Sequence, residues 1–177
     1  MTDLLNRAIV WRDYPSLRRA AGLEGGPAPV LRGVEREAAM RRCIGLLWGA
    51  FAAQHLSWIG FYAKVAGQDE MVLVCREPKP ACSPIGLHGM CGRGWREGRP
   101  IVIRDVRTLG ENYIACDPKD QSELVLPVLD SDGTCWGVLD VDSYSVNAFD
   151  EHDVRGMGAI MAALGIGGAQ TSSPLWL

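Results

Sequence analysis

No stretch of this sequence is apolar for the roughly 20 residues that a membrane-crossing helix requires, so no transmembrane span is expected. The opening MTDLLNRAIV lacks a basic segment followed by a long apolar run. No signal peptide is therefore expected, and the expected location is the cytoplasm. Charge of one sign is missing too. The net charge of −3 gives no reason to expect a nucleic-acid partner, and the arginines of the first 43 residues are interspersed with acids as on a solvated face. Internal repeats and extended low-complexity tracts are absent, which excludes solenoids and disordered tails as the main architecture.

What remains is an ordinary globular composition, and 177 residues suit one domain with a sizeable core. The six cysteines, at 43, 75, 82, 91, 116 and 135, should be reduced in that compartment. Any disulfide among them would be chemical and transient. Residues 1–33 read as an N-terminal arm and linker, ending in the Gly- and Pro-rich GLEGGPAPVLRG. Residues 34–167 read as the main domain, and 168–177 as a loose tail. A stripe at Met40, Ile44, Leu47, Trp48 and Phe51 predicts a helix. LSWIGFYAKV and MVLVCRE predict a hairpin, PIVIRDV a short strand, and ELVLPVL and CWGVLDVD a second hairpin around DSDGT. A last helix follows Asp150, a capping residue, with an apolar stripe at Val154, Met157, Ile160, Met161 and Leu164. This order is not a βαβ alternation. It predicts an α+β domain: a mainly antiparallel sheet, terminal helices packed on one face, and a pocket under long loops on the other.

Two features carry chemistry. Cys116 sits in NYIACDPKDQSELVLP, beside a run of turn formers that place it near the surface. From this stretch alone it is a core thiol, a metal ligand or a nucleophile. In WGVLDVDS, Asp140 and Asp142 are two residues apart and share a strand face with Trp136 and Val138, while Cys135, Leu139 and Val141 take the helix-covered side. Pairing across DSDGT would bring Glu123 beside one of the two aspartates. Carboxylates this close raise one another's pKa, so one of them can hold a proton at neutral pH. Cys43, Cys75 and Cys135 read as core thiols. Cys82, His88 and Cys91 with Cys116 match no familiar zinc spacing, and no metal is expected. A helix start at Cys91 would lower its pKa.

WIGFY (58–62), Cys82, GMCG with Cys91, IACDPKDQSELVLP and GVLDVDS occur in the order found in free methionine-R-sulfoxide reductases, and residues 34–167 resemble that GAF-fold family. The resemblance implies thiol-dependent reduction of the free R epimer of methionine sulfoxide. Cys116 would attack the sulfoxide, and Cys82 or Cys91 would resolve the sulfenic acid as a disulfide. Trp58, Tyr62, Glu123, Asp140 and Asp142 would bind the substrate. It further implies no cofactor beyond a thioredoxin-like reductant, and a homodimer is allowed. Here the stretch between Cys82 and Cys91, with GLHGMCGRGW, departs from the family's usual pattern and bears on substrate choice. The rival reading is a non-catalytic GAF sensor that binds a small ligand. Three cysteines together with three acids favour the enzyme.

Overall fold

The computed structural model describes residues 11–112, 117–168 and 172–177. Its centre is a seven-stranded sheet in the order β3-β2-β1-β6-β5-β4-β7. The two predicted hairpins form the middle: β1 (Trp58–Lys64) with β2 (Glu70–Glu77), and β5 (Ser122–Leu129) with β6 (Cys135–Ser143). They join through antiparallel pairing of β1 with β6. β4 (Ile101–Ile103) extends the sheet beyond β5, and β3 (Ile85–Gly86) borders β2.

Alternation along these strands divides the apolar residues between two faces. Ile59, Phe61, Leu124, Leu126, Leu139 and Val141 face α2 (Gly33–Phe51) and α4 (Glu151–Ala163), where they meet Met40, Leu47, Met157 and Ile160 in the larger core. Trp58, Tyr62, Val125 and Val138 face the other way, into a smaller cluster with Cys91 of α3 (Met90–Glu97). Asp150 caps α4 through a reciprocal capping box with Asp153.

Trp136 departs from the expected face. The β5–β6 register shifts between Val128 and Leu129, and a one-residue bulge reverses the side to which the preceding residues point. Trp136 therefore packs against the helix-side core, with the Arg36 guanidinium 4.6 Å above its ring.

Residues 11–31 and 172–177 pack onto the domain. Asp13 caps a short helix, α1 (Tyr14–Ala20), with a proline in its first turn. The Arg12 guanidinium is fully buried. It donates to Asp153 at 2.8 Å and to the carbonyls of Ala148 and Gln54. The Tyr14 hydroxyl donates to the same Asp153 carboxylate at 2.6 Å. Gly156 leaves room for the Tyr14 ring, since a Cβ there would come within 2.2 Å of it. The Gly/Pro-rich segment is held along the end of α4 by Ala28 N–H to Ala162 O and Leu31 N–H to Gly165 O. The expected loose tail is corrected over residues 172–177. Leu175–Trp176 form β7, parallel to β4, because the β4 edge offers free backbone groups that Leu175 N–H, Leu177 N–H and Leu177 C=O satisfy. Among the described residues, no helix is long and apolar enough to cross a membrane.

Candidate active site

The three acids singled out by spacing converge. Glu123 pairs with Asp142 across β5–β6, and Asp142 and Asp140 pair with Trp58 and Gly60 across β6–β1. All three carboxylates line one cavity of about 250 Å³, together with Tyr62, Cys82, His88 and Cys91. A smaller pocket of about 30 Å³ shares Tyr62, Asp140 and Asp142 and adds Trp58, Lys79, Asp117 and Asp120. Glu123, Asp140 and Asp142 are each at most 9% exposed, so the floor of the cavity holds three acids largely out of water.

That placement fixes their protonation. Burial pushes Asp140 up to about 7, partly offset by the neighbouring Cys91 thiol. Burial, and then the charge of Asp140, hold Glu123 well above the usual carboxylate range. Asp142 is raised by burial, then by Asp140 and Glu123. Asp120 is raised by burial too, against a hydrogen bond from Ser57 Oγ at 2.7 Å. The cluster therefore carries protons at neutral pH, and among the described residues one Asp140 oxygen, Oδ1, has no hydrogen-bond partner.

Cys91 lies at the second residue of α3, yet its thiol is pushed up, not down. Burial and the charges of Asp140 and Glu123 outweigh the helix terminus, which corrects the expectation from its position. Cys82 is exposed, and the five described cysteines are free thiols. Cys43 and Cys75 sit in the helix-side core, where burial raises both. The Cys91 sulfur and carboxylate oxygens of Glu123 and Asp140 all lie within 4.8 Å of one another, a set able to hold a metal ion. Cys82 and His88, weighed with Cys91 as zinc ligands, are not part of that set among the described residues.

The aromatic pair holds the loop above the cavity. Trp58 and Tyr62 lie 6.0 Å apart, centroid to centroid. The Trp58 indole folds over Gly60, where a Cβ would come within 2.2 Å of Cη2. Trp58 Nε1 donates to Lys79 O, and Tyr62 OH donates to Cys82 O, both at 2.9 Å. Cys116 lies outside the described residues, but its chain neighbour Asp117 is ion-paired with Lys79 and accepts from Tyr144 OH at 2.9 Å. Lys79 Nζ also donates to Tyr144 OH at 3.1 Å. This triad ties the segment after Cys116 to the segment before Cys82, and it lowers Asp117 to about 2, chiefly through Lys79. Lys79, Asp117 and Tyr144 were not singled out from the sequence. They lie in three separate loops, and nothing in their spacing joins them.

Such a sheet, with helices on one face and a loop-covered acidic pocket on the other, defines a small-molecule-binding α+β domain. The chain belongs to the GAF-domain family, whose sequence profile matches residues 34–167. Among its relatives is the free methionine-R-sulfoxide reductase of Saccharomyces cerevisiae, 32% identical over 112 residues, which are 61% of this chain and 62% of the relative. The curated relatives are matched over 61–67% of their own lengths. Similar solved structures include the free methionine-R-sulfoxide reductase of Neisseria meningitidis in complex with its substrate. It has a TM-score of 0.69 and 31% identity over 86% of this chain and 83% of that one. A candidate GAF sensor protein from Burkholderia vietnamiensis has a TM-score of 0.69 and 32% identity over 88% of this chain and 92% of that one.

Proposed function

We propose that the protein reduces free methionine-(R)-sulfoxide to methionine with thiols. The observation that carries this reading is the trio of buried, proton-holding acids beside a thiol and an aromatic pair in one cavity. Cys116 attacks the sulfoxide sulfur, and the S–O bond breaks. A protonated carboxyl of the trio protonates the sulfoxide oxygen, the resulting hydroxyl passes from the substrate sulfur to the Cys116 sulfur as the transient S–S bond breaks, and methionine leaves with Cys116 as a sulfenic acid. A second thiol displaces that oxygen as water and forms a disulfide. The attacking species is a thiolate, which burial and the neighbouring acids disfavour at Cys91, whereas Cys82 is exposed. Cys82 is therefore the resolving cysteine of this scheme. A dithiol of the thioredoxin type then exchanges with the disulfide and restores both thiols. The remaining carboxylates hold the substrate ammonium, and Trp58 and Tyr62 wall the methyl-sulfur end. The setting is the cytoplasm, where such a reductant is available.

The test is incubation with each epimer of free methionine sulfoxide and dithiothreitol, with methionine read by chromatography. Methionine from the R epimer alone is the expected result. A second reading, a non-catalytic GAF sensor, is favoured by the Burkholderia neighbour. It predicts ligand binding with no methionine formed and six titratable thiols remaining after treatment without reductant.

A further inference from the structure

Cys91 has no part in the reduction scheme, in which Cys82 resolves Cys116, yet it lines the cavity beside the acids. Its helix is held close. Gly92 lies against the Leu87 backbone, where a Cβ would come within 2.1 Å of the carbonyl oxygen, and Gly94 lies against Val125 of β5, where a Cβ would come within 2.7 Å of the side chain. α3 therefore seats Cys91 over the β5–β6 pair. Its sulfur and carboxylate oxygens of Glu123 on β5 and Asp140 on β6 all lie within 4.8 Å of one another. An independent sign of a ligand is Asp140 Oδ1. Asp140 is only 9% exposed and lines the cavity, and among the described residues this oxygen has no hydrogen-bond partner.

A thiol beside two carboxylates selects among cations. Magnesium and calcium take oxygen ligands, whereas zinc accepts Cys sulfur and Asp or Glu oxygen in one tetrahedral shell. Neighbouring ligand atoms in such a shell lie about 3.5 Å apart, so side-chain shifts of roughly 1 Å close the set, and three protein ligands leave the fourth position open to the cavity. On binding, the ligands give up their protons to solvent, and the divalent ion offsets two of the three negative charges then held out of water.

We propose that Cys91, Glu123 and Asp140 form a site for a zinc-class divalent cation, and that the ion blocks the cavity against the sulfoxide. A bound ion occupies two of the acids that the reduction scheme uses for the ammonium and the proton, so free zinc halts turnover and a chelator restores it. The site rests on the geometry, and the blocking rests on the reductase reading.

The experiment uses the full chain carrying Cys116→Ser, so that ligand binds without turnover and residue 116 supplies no thiolate. Cobalt(II) is titrated with a phosphine as reductant, and its thiolate-to-metal band in the near ultraviolet reports coordination. Displacement of the band by zinc gives the zinc affinity. A stoichiometric band is expected. Adding Cys91→Ser should remove it, and adding Cys82→Ser should leave it in place. Adding Asp140→Asn should weaken zinc at least about tenfold, since even the loss of an outer-shell partner costs about that much. Circular dichroism checks that each variant folds. No band, a band that survives Cys91→Ser, or zinc affinity unchanged by Asp140→Asn overturns the site. Free methionine-(R)-sulfoxide should lower the apparent zinc affinity, and a Cys91-dependent band indifferent to it overturns the blocking. Methionine formation by the metal-free wild-type chain is measured separately. It keeps the reductase reading where the band is missing, and its failure leaves the metal site standing where the band is present.

Discussion

At the scale of single residues, the cavity is governed by what burial does to charge. Asp140 titrates near 7 in the folded chain and near 3.9 when unfolded. Between these values the native state holds the extra proton. The stability this contributes is complete below about pH 4 and is lost as the pH rises through about 7. Asp140→Asn removes the ionisable group, so the melting temperature of the variant, relative to wild type, should rise between pH 5 and pH 8. A difference that stays constant with pH would show that Asp140 ionises normally. Two kinetic outcomes belong here as well. Cys116→Ser should abolish methionine formation, while Cys43→Ser, Cys75→Ser and Cys135→Ser retain most of it. Asp142→Asn should lower kcat/KM by at least about tenfold, because a hydrogen bond to a charged group contributes roughly 1.5–3 kcal/mol. These acids were legible in the sequence because strand alternation is a strict period of two. Lys79 was not legible as a site residue, because a loop has no period and only the folded chain brings its neighbours together.

At the scale of elements, β1 illustrates how tightly the aromatic wall is fitted. Gly60 sits beneath the Trp58 indole with no space for a methyl group. Gly60→Ala should force the ring aside and break its bond to Lys79 O, at a cost of about 1–3 kcal/mol. A lower melting temperature, a shifted tryptophan emission and a higher KM are the expected readings. Unchanged emission with unchanged KM would mean that the indole is not what shapes the cavity. Strand and helix periodicity located β1, β2, β5, β6, α2 and α4 to within a few residues, since each buries one face against a partner. Periodicity failed at Trp136, where one bulge reverses the pattern, and it passed over α1, whose seven residues are too few to show a repeat. The DYPS stretch, an N-cap followed by a proline in the first turn, was the available signal for α1.

At the scale of the whole molecule, the described part of the N-terminal arm is anchored to the domain around one buried ion pair. Arg12 and Asp153 are at most 1% exposed and lie 2.8 Å apart. Removing one partner leaves the other charged and buried, which typically costs about 3–5 kcal/mol. Arg12→Ala should therefore lower the melting temperature by roughly 10 °C. A change of only a degree or two would show that the arm is dispensable. The arrangement was invisible in the sequence because its partners are 141 residues apart.

The outermost strands, β3 and β7, are two residues each. An open sheet is a template on which another chain can lay down its backbone, and at the β4 edge β7 occupies that ladder by pairing with Ile101 and Val102. Shaving residues 172–177 would bare β4, whose Ile101, Val102 and Ile103 are fully buried in the intact chain. The shortened chain should scatter light and bind thioflavin T on warming under conditions where the intact chain stays clear. The last few residues would then be guarding the protein against fibril growth.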